Sequence, residues 1–435
     1  MALALCFFTG SAVAREEVVV VTSFPASLYE PFRRAFEQKE PGFRLRMLNR
    51  KTTAAIAMVT TGRFEGDVFW ASAPDAFEVL READKFVPIP SGIQPASSRI
   101  GAFPVDDING LYRGFSISGY GMMWHAPSLA RAQVATPRAI ADLVHPRFAG
   151  LVAMSAPSRS GTTHLMVETV LQRYGWERGW EIWLRLAGNL ATVTARSFSV
   201  SSGVAQGRFA IGLSIDFLGR NETGELEFAY PTENVFLPAS IAVLAGARNP
   251  QGARRFADFV LSEAGQRLLI EPQINRFPIG AGILPTGGQD LFALARAEEP
   301  PFRFDARLSG TRYELVNILF DELITERLAR LQKFWRNHSA LDARLANHPD
   351  LRAEWRSIGQ LAAQLPGALA GLHQEPAVAD LKRVPRGAPL DPVQAALVTR
   401  IRQAAETTLA GAEERLEALQ RRLTPAELIA PGLRP

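Results

Sequence analysis

The stretch Gly150-Leu-Val-Ala-Met-Ser-Ala-Pro-Ser-Arg-Ser-Gly-Thr-Thr-His164 gathers the chain's most concentrated binding chemistry. Leu151 to Met154 is a short apolar run that predicts a buried strand. A Ser/Pro/Gly-rich turn follows, and amphipathic spacing from Thr162 past Trp180 predicts a long helix. The hydroxyls of Ser155, Ser158, Ser160, Thr162 and Thr163, the cation of Arg159 and the free amides of a helix start, with Gly161 among them, therefore fall in one turn. A phosphate, phosphonate or carboxylate needs that set: aligned donors, the positive end of a helix dipole and no competing carboxylate. An ordinary turn would use the same Ser, Pro and Gly. The stretch alone leaves both readings open.

The elements that must position this turn follow from the pattern of the chain. Val18 to Thr22 is a β-branched run and reads as a strand. Ala26 to Lys39 has helical spacing through Leu28, Phe32 and Phe36, and Pro41-Gly42 ends it. Phe43 to Leu48 and Asp67 to Ala71 read as further strands, with helices opening after Asn49 and after Ser72. Alternation of this kind marks a parallel sheet covered by helices. Its strand-to-helix turns carry Ser23, then Lys51, Thr52 and Thr53, then Ser72, then Ser155 through Thr163. Such turns share the carboxyl edge of the sheet, where open α/β folds bind ligands. Ser and Thr also cap helices, which is a sufficient structural reason for each one alone. Several together, with Lys51 and Arg159 among them, point to an anionic or polyhydroxylated ligand.

Further along, Leu111 to Trp124 reads as a long crossing strand, Thr136 to Leu143 as a short capped helix, and Val200 to Gly207 as the start of another helix. Trp176, Trp180 and Trp183 share one helix face as core residues. Ala210 to Ile215 reads as a strand ending in Asp216, whose carboxylate could meet ligand hydroxyls or cap the next turn. Phe228 to Val243 reads as a second crossing, bent at Pro231 and Pro238. Two crossings make a hinge between two lobes, which would close on a ligand. The expected division is a signal peptide at 1–14, one lobe from 15–115 and 240–305, and a second from 116–239. Beyond residue 306 the character changes to Leu-spaced helices at both ends of a proline-punctuated, loop-rich stretch over 340–393, giving a helical extension through 435. In the last helix, Leu409, Leu416 and Leu423 recur at sevens, as do Val398, Ala405, Ala412 and Leu419; the half-alanine series predicts a tight helix-on-helix seam.

Composition bounds the function classes. The chain has 435 residues, 47% hydrophobic and 21% charged, with a net charge of +4, so it has ample core and no basic block for nucleic acid. Met1 to Ala14 is uncharged and ends Ser11-Ala-Val-Ala14, a small-x-small cleavage pattern, although the usual basic opening is missing. Cys6, the single cysteine, would leave with it. No later stretch is long and apolar enough to span a membrane. There is no G-x-S-x-G elbow, no Walker lysine and no G-x-G-x-x-G after a strand. The histidines at 125, 145, 164, 338, 348 and 373 lack zinc-ligand spacing. No catalysis, metal or cofactor is expected.

Taken in order, Val20-Val-Thr-Ser-Phe-Pro25, Leu48-Asn-Arg-Lys-Thr-Thr-Ala54, Gly66-Asp-Val-Phe-Trp-Ala-Ser72, Phe115-Ser-Ile-Ser-Gly-Tyr-Gly121, Ser160-Gly-Thr-Thr163, Gly212-Leu-Ser-Ile-Asp-Phe217 and Pro238-Ala-Ser-Ile-Ala-Val243 resemble the periplasmic substrate-binding proteins of ABC transporters. The likeness covers roughly 18–305 and is to the iron(III)/phosphonate/sugar-phosphate-like branch, particularly its phosphoglycerate regulatory type. It implies a two-lobed type II binding-protein fold, a periplasmic location, a small anionic solute and an inner-membrane ABC permease as partner. Iron-binding members use adjacent tyrosines, whereas here Tyr29, Tyr112, Tyr120, Tyr174, Tyr230 and Tyr313 never adjoin. The resemblance places the anion on Ser160, Gly161, Thr162 and Thr163, with Ser23, Thr52, Thr53 and Ser72 opposite and Asp216 toward ligand hydroxyls. The extra length beyond 306 also resembles the regulatory type, which implies a membrane sensor kinase as a further partner.

Overall fold

The computed structural model describes residues 15–423 except 62–64, 91, 93, 101–102, 221–225, 281, 284–303, 382–383 and 385–388. The expected signal peptide and Cys6 lie outside these residues. The first half of the sheet is built as the β-α alternation predicts. Strands β1 (Glu16–Thr22), β2 (Phe43–Asn49) and β3 (Val68–Ala71) are parallel, with β1 in the middle. Val18, Val20 and Trp70 face one apolar cluster, while Val21, Phe69 and Ala71 face another, so helices cover both sides. Helix α1 (Ala26–Lys39) buries Leu28, Phe32 and Phe36, a stripe at four-residue spacing. Phe32 meets the Trp70 ring edge-on at 5.1 Å. Helices α2 (Thr52–Thr60) and α3 (Pro74–Glu82) follow β2 and β3.

The two crossing strands are β4 (Arg113–His125) and β9 (Phe236–Leu244). They pair with each other antiparallel, and the expected boundaries at 115/116 and 239/240 fall within them. In the second half, β5 (Val152–Ser155) lies parallel to β6 (Leu190–Thr194) and β7 (Ile211–Ile215), and β7 pairs antiparallel with β4. The edge strand β8 (Leu226–Ala229) also joins β4, so the stretch read as one second crossing is two strands with a turn between. The sheet order is β2-β1-β3-β9-β4-β7-β5-β6.

Three helical expectations are corrected. The single helix from Thr162 past Trp180 is two, α4 (Gly161–Tyr174) and α5 (Trp176–Ala187), broken at Gly175, whose φ of 84° only glycine adopts freely. Trp176, Trp180 and Trp183 are buried on α5, as core residues. The helix after Ser197 is α6 (Ser197–Ala205), and Thr136–Leu143 is a 3-10 turn over Ile140–Val144. Helix α7 (Pro250–Val260) returns to the first half, capped by Asn249 Oδ1 accepting from Gly252 N at 2.9 Å.

The C-terminal extension is helical: α8 (Ala306–Thr311), α9 (Tyr313–Leu323), α10 (Leu328–Ser339), α11 (Pro349–Ala363) and α12 (Pro392–Arg422). The stretch read as loop over 340–393 thus contains a 15-residue helix. Pro349 sits at its first position, where a missing N–H costs nothing. On α12, Ala405, Leu409, Ala412, Leu416 and Leu419 are buried against α9 and α11, forming the alanine-containing seam. Helix α8 lies on α3, while α9, α10 and α11 lie on the second half. Among the described residues, no helix is long and apolar enough to cross a membrane.

One buried ion pair fastens the extension: Arg312 to Glu168 at 2.7 Å, the side chains 5% and 0% exposed. Burial pushes the Glu168 carboxyl up, and the Arg312 guanidinium opposes that. Removing the cation strands a buried carboxylate, which costs about 3–5 kcal/mol. Arg312→Met is expected to lower the urea midpoint strongly at pH 8 and much less at pH 5. A carboxyl raised in the folded state contributes its stability when protonated and loses it as pH rises through the folded value. Equal losses at both pH values would contradict this account.

Candidate functional site

Five helix starts converge on one cavity. Pro25, Lys51, Ala73, Ser160 and Arg196 are the N-cap residues of α1, α2, α3, α4 and α6, and all five line it. Ser23, Phe24, Thr52, Ser72, Arg159, Thr162, Ser197, Phe198 and Phe217 complete most of the wall around about 520 Å³ of empty space, counting solvent at its mouth. Among the described residues, no Asp or Glu lines it. Burial lowers the Lys51 ammonium, and Arg159 and Arg196 push it the same way. Burial likewise lowers the Arg196 guanidinium, with Arg50 adding to it. Among the described residues, no salt bridge engages Lys51, Arg159 or Arg196. Like charges are therefore held together at the positive ends of helices, an arrangement that an anion relieves.

The second half contributes a hydroxyl cluster. Ser160 Oγ accepts from Thr163 N at 3.3 Å, closing the start of α4. The same oxygen lies 2.7 Å from Thr162 Oγ1 and 2.8 Å from Ser197 Oγ. Ser155 is buried behind them, bonded to Thr163 Oγ1 and 3.2 Å from Ser197 Oγ. Ser155 and Thr163 thus support the turn, while Ser160, Thr162 and Ser197 face the cavity. Across the gap, Thr53 does not line the cavity; its Oγ1 donates to the Ser158 carbonyl at 2.9 Å, tying the two halves together.

A profile of "Bacterial extracellular solute-binding protein" sequences matches residues 18–271. The phosphoglycerate transport regulatory protein PgtC of Salmonella typhimurium is 31% identical over 359 residues, 81% of this chain and 88% of PgtC. The chain belongs to the bacterial extracellular solute-binding proteins. Solved structures share the fold: AfuA of Actinobacillus pleuropneumoniae with fructose-6-phosphate bound matches with TM-score 0.57 at 18% identity, over 74% of this chain and 98% of AfuA. The ferric ion-binding protein A of Pasteurella haemolytica matches with TM-score 0.55 at 17% identity, over 71% and 97%. The two-lobed binding-protein architecture with an added C-terminal helical extension, and the assignment as a binding protein rather than an enzyme, follow from this family.

Within this solute-binding protein, Asp216 needs correction. Its carboxylate was expected to meet ligand hydroxyls, but it is buried and turned into the hinge. Oδ2 accepts from Gly119 N at 2.8 Å and from Tyr230 Oη at 2.9 Å, and Oδ1 accepts from Phe217 N at 2.7 Å. It ties β7 to the crossing strand β4. Sequence reasoning missed Arg196, Ser197 and the aromatic wall of Phe24, Phe198 and Phe217. Arg196-Ser197 sits after β6 and obeys the strand-to-helix rule already used, so reading Leu190–Thr194 as a strand would have found it. Arg276 had no local signal. It is buried behind the cavity, donating to Ser72 Oγ at 3.0 Å and Ser118 Oγ at 2.8 Å, with its guanidinium 4.3 Å from the Phe217 ring. Burial pushes it down to about 9, against the pull of Asp216.

At Gly161 the two halves are in close contact. A Cβ there would lie 2.8 Å from Ala73 Cβ and 3.1 Å from Thr52 Cγ2, and Ala73 Cβ is fixed to backbone. Alanine suits a helix start, so Gly161→Ala should leave the fold intact. Overpacking of about 1–3 kcal/mol would fall on the approach of the two halves alone. The variant is expected to bind its solute about tenfold or more weakly in a direct titration, with an unchanged far-ultraviolet circular dichroism spectrum. Wild-type affinity would show that the contact at Gly161 plays no part in binding.

Proposed function

We propose that this protein captures a small phosphorylated or otherwise anionic organic solute in the periplasm by closure of its two lobes, and delivers it to an inner-membrane ABC permease. The observation that carries this is the convergence of Lys51, Arg159 and Arg196 with five helix N-termini, with no carboxylate among the described lining residues. The hydroxyls of Ser23, Thr52, Ser72, Ser160, Thr162 and Ser197 add neutral donors for phosphate oxygens. The names of two similar proteins agree in ligand class: PgtC is a phosphoglycerate transport regulatory protein, and AfuA was solved with fructose-6-phosphate. Iron(III) capture draws no support from the wall, whose described residues include neither a tyrosine nor a carboxylate. Regulation is a second reading. PgtC carries the word in its name, and this chain has helices beyond 305 through which a membrane sensor could be contacted.

The test is a panel of phosphoglycerates, sugar phosphates, phosphonates, inorganic phosphate and carboxylates against the full chain. A member at a hundredfold excess over its Kd adds about 2.7 kcal/mol and raises the melting temperature clearly. Lys51→Met and Arg196→Met are each expected to weaken that ligand about tenfold or more, the usual worth of a charge-assisted hydrogen bond. No thermal shift from any anion would overturn the proposal.

A further inference from the structure

The extension lies against the site turn itself. Helix α9 packs on α4 and on the 3-10 turn Pro157–Arg159. Tyr313, Asn317 and Asp321 recur on it at four-residue spacing and so share one face. The Tyr313 ring lies over the His164 ring with centroids 3.7 Å apart, and Asn317 Oδ1 is 3.1 Å from His164 Nδ1. One turn further along α4, Glu168 takes Arg312. Asp321, the last of the row, sits beside Ser158 and Arg159 with one carboxylate oxygen, Oδ1, buried and without a hydrogen-bond partner. Burial pushes its carboxyl up, while the Ser158 and Thr325 hydroxyls and the Arg159 charge pull it back. Ser158 is also the residue whose carbonyl receives Thr53 from the opposite half.

We propose that Asp321 is a positioning residue for the anion site: from the C-terminal extension it holds the Ser158–Arg159 turn, so that Arg159 faces the cavity and the Ser158 carbonyl meets Thr53. The proposal rests on the anion-binding reading above. Asp321 is not among the cavity-lining residues, so it acts through Arg159 and Ser158 and not by touching solute. The extension is then part of the binding machinery, and any signal it passes on begins at this turn.

Asp321→Asn in the full chain keeps the size and removes the charge. Without any solute, amide exchange at 158–160 is expected to quicken about fivefold or more, while α5 is unchanged. Binding of 3-phosphoglycerate is expected to weaken about tenfold in the wild-type background and less than about twofold beside Arg159→Met, because the effect runs through Arg159. Unchanged exchange at 158–160, or an equal loss of affinity in both backgrounds, would overturn the positioning role. The exchange experiment needs no ligand. A protein that bound no phosphate ester would defeat the functional reading, while exchange would still decide the role of Asp321.

Discussion

Confined positive charge is the constraint on which the rest of the structure depends. Lys51 comes from the first half and Arg159 and Arg196 from the second, and each sits at a strand-to-helix turn. Five helices point their N-termini into the same space. Each dipole contributes only some tenths of a kcal/mol to an anion, but all share a sign and no carboxylate among the described lining residues cancels them. Without an anion, Lys51 and the two arginines repel one another across the gap between the halves. With one, the same charges pull the halves together. In the proposed reading this reversal couples binding to closure, and no separate latch is required.

The hinge must then hold the halves in register without draining the site of charge. Asp216 is the carboxylate nearest in sequence to the cavity wall, and it is committed elsewhere, to Gly119 N, Phe217 N and Tyr230 Oη. Arg276 is buried beside it and binds Ser72 and Ser118, which belong to a site turn and a crossing strand. Its guanidinium also rests on Phe217, from the second half, and at 5.0 Å on Phe24, from the first. Opposite charges behind the wall therefore offset each other, and the Asp216 carboxylate is not spent on the cations of the wall.

How much of this could be read from residues depends on the range of the interaction. Alternation of β-branched runs with Leu28, Phe32 and Phe36 spacing is local, so the first half was legible. Strands that run parallel must share a carboxyl edge, so Ser23, Lys51, Thr52, Ser72 and Ser160 could be gathered before any coordinates. The direction of the Asp216 carboxylate is set by Gly119, 97 residues away, and nothing near Asp216 announces it. Arg276 is held by Ser72 and Ser118 for the same reason. The helix Pro349–Ala363 was obscured because proline at a helix start and proline in a loop look alike in sequence.

The extension follows from the same logic of burial. A polar row on α4, His164 and Glu168, would be costly to leave inside an apolar interior. Tyr313, Asn317 and Arg312 meet that row, so α4 and α9 are specified together. In the proposed reading, the helix that offers Ser160, Gly161 and Thr162 to solute is thus the helix whose back is matched to the extension. A change in tilt or register of α4 on binding would have to be accepted by Arg312, Tyr313 and Asn317 at once. Because α12 packs on α9 through the Ala405 and Ala412 seam, displacement of α9 would be passed to the longest helix of the chain. In the proposed reading, that packed linkage from the Ser158–Arg159 turn to the terminal helix is a physical reason to place binding and regulation in one molecule.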